Sequence, residues 1–383
     1  MIIDRRTLFG LAGATLAAHA ATGKAAHAAT VKAASAARAD PVVINALGAL
    51  DDPNHPLDED DRGPLVITPR MIADAHASGE TAVNITLGYV AGSGDPFESS
   101  VGAIGRWDRA LRAHPRDLLK VLGTDDILRA GASRKIGIIY GFQNAAMMGS
   151  DASRVDIFAD LGVRVVQLTY NAANQLGDGS MVPAGRGLSK FGHEVVERLN
   201  ANRIMVDLSH SGRQICLDAI RASRQPISIN HTGCRAVTDL PRNKTDEELR
   251  LVARSGGFVG IYFMPFLAAS GHATAADVVA HIEHALNVCG EDHVGIGTDG
   301  GTTAIDDLEA YKSALAKEHA DRVAKGIAAT GERADTHPFV DDLRGRGQFR
   351  KLGSLLAARG HKSTTIEKVL GTNFLRYARE IWG

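Results

Sequence analysis

Eight short apolar runs, interleaved with helical patterns, constrain this chain more than any other feature. They are PVVINAL (41–47), TAVNITLG (81–88), KIGIIYGF (135–142), VRVVQLTYN (163–171), RIMVDLSH (203–210), PISINHTG (226–233), GFVGIYFM (257–264) and HVGIGTDG (293–300). Most are near-continuously hydrophobic instead of alternating, the mark of strands buried on both faces in a parallel sheet. The segments between them carry helix signals. Thr68 and Pro69 open one helix with proline in its first turn. Ser189 caps 189–202, where Val195, Val196 and Leu199 share a face. Thr245 opens a third that stops on paired glycines, and 273–290 is amphipathic. Repeated strand–helix alternation predicts an α/β fold, a single (β/α)8 TIM-type barrel over residues 41–383. An open doubly wound sheet would share the alternation, but no GxGxxG motif opens a helix. Residues 301–350 are long, charged and partly helical, and read as an insertion after strand eight, either a lid or a dimer contact.

The first 28 residues have the pattern of an export signal. Arg5 and Arg6 precede an apolar stretch from Leu8 to about Ala21, with small-x-small sites at Ala18-His19-Ala20 and Ala26-His27-Ala28. The expectation is a twin-arginine signal peptide over 1–28, a small polar leader over 29–40, and a periplasmic or secreted mature protein. The twin-arginine route carries proteins that have already folded. No other stretch is long and apolar enough to span a bilayer.

Bulk charge excludes some partners. Forty-three basic side chains balance 44 acidic ones, so no global field draws in nucleic acid or an anionic surface. Aromatic content of 5% argues against base-stacking platforms, and three scattered cysteines make neither a disulfide framework nor a thiolate zinc site.

The chemistry-bearing residues sit at strand ends, where a parallel barrel builds its active site. His210 and His231 close neighbouring strands, and neutral imidazole is a good ligand for zinc and similar metals. The alternative for either is a hydrogen-bonded core histidine. Asp299, among glycines at the end of strand eight, suits proton transfer, metal binding or a grip on a substrate ammonium. Arg242, in the loop after strand six, offers a planar fork for a substrate carboxylate. Tyr170 can donate to a developing oxyanion, and Asn171 beside it is assigned with Arg242 to substrate binding.

Three of these stretches, LSKFGHEVVERLNANRIMVDLSHS, PISINHTGCRAVTDLPRNKTDEELRLVARSGGFVGI and HVGIGTDGG, followed by VLGTNFLR, resemble the membrane (renal) dipeptidase family of metallopeptidases. The resemblance runs from about residue 41 to the C-terminus. It implies an amidohydrolase-like barrel, usually dimeric, with two zinc ions that cleave dipeptides and sometimes D-residue dipeptides or β-lactams. By that likeness His210 and His231 look like ligands of the second zinc, Arg242 like the carboxylate clamp, and Asp299 like the acid/base partner near the substrate amine. The chain also departs from the pattern. Leu47 and Ala49 stand where the family has the His-x-Asp pair of the first metal, Gln143 where it has a bridging glutamate, and Tyr170 where it has a histidine. Asp51, Asp52 or His55 could replace the lost ligands only through a register shift or a loop fold.

The expectation is a periplasmic metal-dependent hydrolase of a dipeptide or small amide, with one zinc or other divalent ion in place of two, and a homodimer by family likeness. The alternatives are a relative doing mononuclear or metal-free chemistry on a peptide-derived metabolite, and a non-catalytic binder of a zwitterion.

Overall fold

The apolar runs pair in parallel. The computed structural model describes residues 41–55, 63–183, 185–324, 328 and 332–383; the expected signal (1–28) and leader (29–40) lie outside them. The strands are β1 (Val43–Gly48), β2 (Glu80–Thr86), β3 (Leu118–Val121), β4 (Ile136–Phe142), β5 (Val163–Gln167), β6 (Met205–Asp207), β7 (Ser228–Thr232), β8 (Phe258–Ile261) and β9 (Val294–Ile296). Their order is β1-β2-β4-β5-β6-β7-β8-β9, a parallel eight-stranded (β/α)8 barrel. β3 lies off this path and has no counterpart among the eight expected strands. It pairs with Ile136–Ile139 of β4, while β5 takes the same edge from Tyr140 to Phe142. Only Leu118 and Val121 of its four residues are buried, so its sequence shows no continuous apolar run.

The first and last strands meet at a seam made partly of side chains. Asn45 Nδ2 donates to Thr298 Oγ1 at 2.8 Å, and the Thr298 N–H donates to Asn45 Oδ1 at 2.8 Å. Above them the Asp299 N–H donates to the Leu47 carbonyl at 2.9 Å, and the Ala49 N–H to the Gly300 carbonyl at 3.2 Å. The interior is tight enough to require glycine. A Cβ at Gly260 or Gly297 would lie 2.0 Å from the Asn230 carbonyl oxygen.

The far end of the barrel is closed by the C-terminal helix Asn373–Trp382. Its Asn373 Nδ2 donates to the Val294 carbonyl, its Tyr377 hydroxyl to that of Pro226, and its Trp382 Nε1 to that of Arg164, all near strand starts. Phe374, Tyr377, Ile381 and Trp382 form one apolar cluster with the strand residues Ile44, Ala82, Ile139, Val165, Met205 and Phe258. Residues Val42–Gly383 form one compact unit. Within the expected insertion, helix Leu308–Ala324 fully buries no side chain, whereas Val340 and Leu343 join the main core. Cys216, Cys234 and Cys289 are buried thiols. Among the described residues no helix is long and apolar enough to cross a membrane.

Asn45→Ala removes both side-chain bonds of the seam and leaves the Thr298 N–H without its acceptor. It should cost about 2 kcal/mol, read as a lower urea midpoint at unchanged m-value.

Candidate active site at the barrel mouth

β6 ends earlier than its apolar run suggests, and one carboxylate explains why. Asp207, the last residue of β6, is buried and accepts from the Ser209 N–H (3.0 Å), the Ser209 hydroxyl (2.5 Å) and the Asn230 N–H (3.0 Å). That local turn terminates β6, so His210 lies three residues beyond the strand instead of closing it. Ser209 Oγ then accepts from the His231 N–H at 3.1 Å, inside β7. One Asp–Ser pair therefore sets the relative position of both histidines, whose ring centroids are 4.9 Å apart.

His210 is held from three sides. Its Nδ1 lies 2.7 Å from Asn171 Oδ1. A carbonyl oxygen only accepts, so the proton is on Nδ1 and the Nε2 lone pair faces the Arg242 guanidinium at 3.1 Å. Tyr170 stacks on the ring at a centroid distance of 4.2 Å. Asn171, expected to bind substrate, is only 4% exposed and orients His210 in this geometry. Burial first, then Arg242, hold the His210 imidazole well below its ordinary pKa. Burial and Arg242 do the same to His231.

His231 differs from a structural histidine. His281 is also buried, but its Nδ1 accepts from the Cys234 N–H and its Nε2 sits 2.9 Å from the Leu267 carbonyl. Both ring nitrogens of His231 are buried with no hydrogen-bond partner. An unpaired buried polar group is costly unless something else takes it up.

Arg242 is 1% exposed, not a solvated loop residue. It donates to the Ser209 carbonyl at 2.7 Å and lies over the Tyr262 ring at 5.7 Å. Its loop is pinned by the next residues. Lys244 Nζ donates to the Ser211 carbonyl and faces Glu248 at 3.8 Å, both side chains 3% exposed. The Tyr262 hydroxyl donates to Asn243 Oδ1 at 2.6 Å.

Asp299 is reached through a left-handed backbone (φ 60°), uncommon for a residue with a Cβ, and its N–H is fixed by the seam. Burial pushes its carboxyl up to about 6, against the opposing pull of Arg242 and Arg322. Arg322 comes from helix Leu308–Ala324 and pairs with Glu332 at 3.0 Å. It also hydrogen-bonds Tyr170, whose phenol is pushed up by burial and by Asp299. The insertion thus delivers a cation to the mouth that no strand-end motif announces.

The lost ligands are not rebuilt. Leu47 is buried, and Gln143 Nε2 donates to Thr86 Oγ1 at 2.7 Å while its Oε1 is buried without a partner. Asp52 accepts from Asn54 and Thr68 and lies 3.8 Å from the exposed His55. Among the described residues no three His, Cys, Asp or Glu side chains converge to hold a metal ion. The residues present do not fit a binuclear centre; they offer one ion two imidazoles, with the unpartnered His231 ring as the clearest sign of a ligand position. A cavity of about 260 Å³ lies beside Asp299, between β1 and β2. A larger groove of about 940 Å³ is on the outer helical layer, lined by residues such as Lys190, Glu194 and Arg221.

Residues 78–326 match the membrane dipeptidase family, peptidase family M19. An amidohydrolase structure from Pseudomonas aeruginosa is 32% identical with a TM-score of 0.75, covering 90% of this chain and 98% of that one. The "Uncharacterized protein in pqqA 5'region" of Klebsiella pneumoniae is 26% identical over 287 residues, 72% of this chain and 93% of that protein. Dipeptidase tcpJ of Claviceps purpurea (strain 20.1) is 28% identical over 261 residues, 67% of this chain and 54% of that protein, so the match spans about half of that relative.

Lys244→Met leaves the Glu248 carboxylate buried without its cation and unpins the Arg242 loop. It should destabilise the fold by about 3 kcal/mol, measured by chemical denaturation.

Proposed function

The chain belongs to the membrane dipeptidase family of metal-dependent hydrolases, and we propose that it cleaves a dipeptide or similar small amide bearing a free carboxylate and ammonium, using no more than one metal ion. The observation that carries this reading is the buried His231 ring with two unpartnered nitrogens beside His210, in a mouth that also gathers Arg242, Asp299 and Tyr170. Zinc, or another divalent ion, would be held by His210 and His231; when bound, such an ion polarises a carbonyl and acidifies a water. Both imidazoles are neutral at ordinary pH, the form that ligates. The Nδ1–H to Asn171 contact leaves His210 Nε2 as the ligand atom.

The other steps belong to the chain's own side chains. Arg242 holds the substrate carboxylate through N–H donors not directed at Ser209 and His210. Asp299, ionised above about pH 6, holds the substrate ammonium or takes a proton during hydrolysis. Tyr170 remains a neutral phenol and donates to the developing oxyanion, supported by Arg322. In this proposal the chain is exported folded by the twin-arginine route and works in the periplasm. One observation favours a metal-free variant of the same site: Arg242 already occupies His210 Nε2, the nitrogen an ion would need.

Elemental analysis of mature protein purified without chelator should find about one divalent ion per chain, and His231→Ala should lose both metal and turnover. Two ions per chain would overturn the assignment, while turnover that survives chelation would select the metal-free variant. The sign of the pH dependence follows from Asp299 acting as a base. Activity requires the ionised form, so kcat/KM should climb about tenfold per unit below pH 6 and level off above it. Asp299→Asn should remove that limb and lower kcat/KM by about 10²-fold.

A further inference from the structure

The cavity beside Asp299 is lined by that residue and by Gly48, Ala49, Leu50, Ile85, Thr86 and Trp107. Leu50, Ile85 and Trp107 are core residues, so their faces toward the cavity are continuous with the packed layer behind β1 and β2. Thr86 already accepts a hydrogen bond from Gln143. The lining contains no imidazole or thiol, and one carboxylate is too few for a metal.

We propose that this cavity is an apolar subsite for an aliphatic side chain carried next to the substrate's ammonium, built in the region where related chains place their first metal ligands. The assignment rests on the hydrolase reading above and gives that site its substrate class: a dipeptide or amide whose N-terminal residue is branched and aliphatic. Two features make the cavity a fixed part of the fold. The Ala49 N–H is bonded to the Gly300 carbonyl, which ties the β1 wall to the last strand's loop, and the side of Gly48 is filled by Asn45, where an added Cβ would lie 2.1 Å from Nδ2. Asp299 is held in its left-handed backbone by the bond to Leu47, which fixes the residue at the cavity edge. An ammonium on Asp299 therefore directs the carbon next to it toward Ala49 and Leu50. A volume of about 260 Å³ accommodates a four-carbon branch, and each methylene removed from water is worth about a fourfold gain in affinity.

The test compares leucinol with ethanolamine, two amines that differ only by an isobutyl group, binding to the full chain by calorimetry. Leucinol should bind at least tenfold tighter, and Ala49→Val and Ala49→Leu should lower that ratio stepwise toward one, with melting curves confirming that both variants fold. Equal affinity of the wild type for the two amines overturns the subsite, whatever the variants do. So does an unchanged ratio in folded Ala49→Leu. Dipeptide turnover is measured separately. Its absence would remove the hydrolase reading and leave the binding ratio standing, whereas turnover without side-chain preference would do the reverse.

Discussion

Closure of the sheet between its first and last strands is the constraint on which the rest of the molecule depends. Eight parallel strands leave two edges, and here the edges are joined by two side chains, Asn45 and Thr298, and by backbone bonds at Leu47 and Ala49. Those bonds hold the left-handed turn at Asp299 and the wall of the cavity at Gly48. A polar seam inside a barrel is costly if any member is unpaired. Asn45 satisfies Thr298 and is satisfied by it, which makes the join specific to this register.

The mouth works by charge placement in a poorly solvated space. Arg242, Lys244 and Arg322 surround two imidazoles and one carboxyl. Burial and Arg242 act together on His210 and His231, keeping them neutral, but oppose each other on Asp299, where burial prevails. The result is a set of neutral, lone-pair-bearing rings beside a carboxyl that titrates close to neutrality. Environments that push neighbouring groups in different directions are what acid–base chemistry requires.

Much of the fold was legible because its strands are long apolar runs with capped helices between them, a pattern a parallel barrel cannot avoid. β3 was not legible, since half of its four residues are partly open and it pairs on only one side. The placement of His210, His231 and Asp299 at or just past their strand ends could be read from position alone. Asp207 could not, although it stands in the same DLSH stretch, because its role depends on reaching Ser209 and Asn230 across two strands. Arg242 was visible as a cation but not as a buried one, and Asn171 as a polar group but not as the partner of His210 Nδ1. Arg322 lies more than 20 residues past the last strand, in a charged helix whose sequence resembles any solvated one; only the path of the chain brings it to Tyr170.

The seam also sets a schedule for synthesis. Asn45 waits for Thr298, 253 residues later, and the floor of the barrel waits for Trp382. At roughly 5–20 residues per second, β1 emerges about a quarter of a minute to a minute before its second neighbour exists. Throughout that interval one edge of Val43–Gly48, an apolar strand with every residue destined for burial, is open to any other strand it meets. A chain built this way is at greatest risk of mispairing while it is still on the ribosome, and that window shortens only with faster elongation or a temporary cover for its first strand.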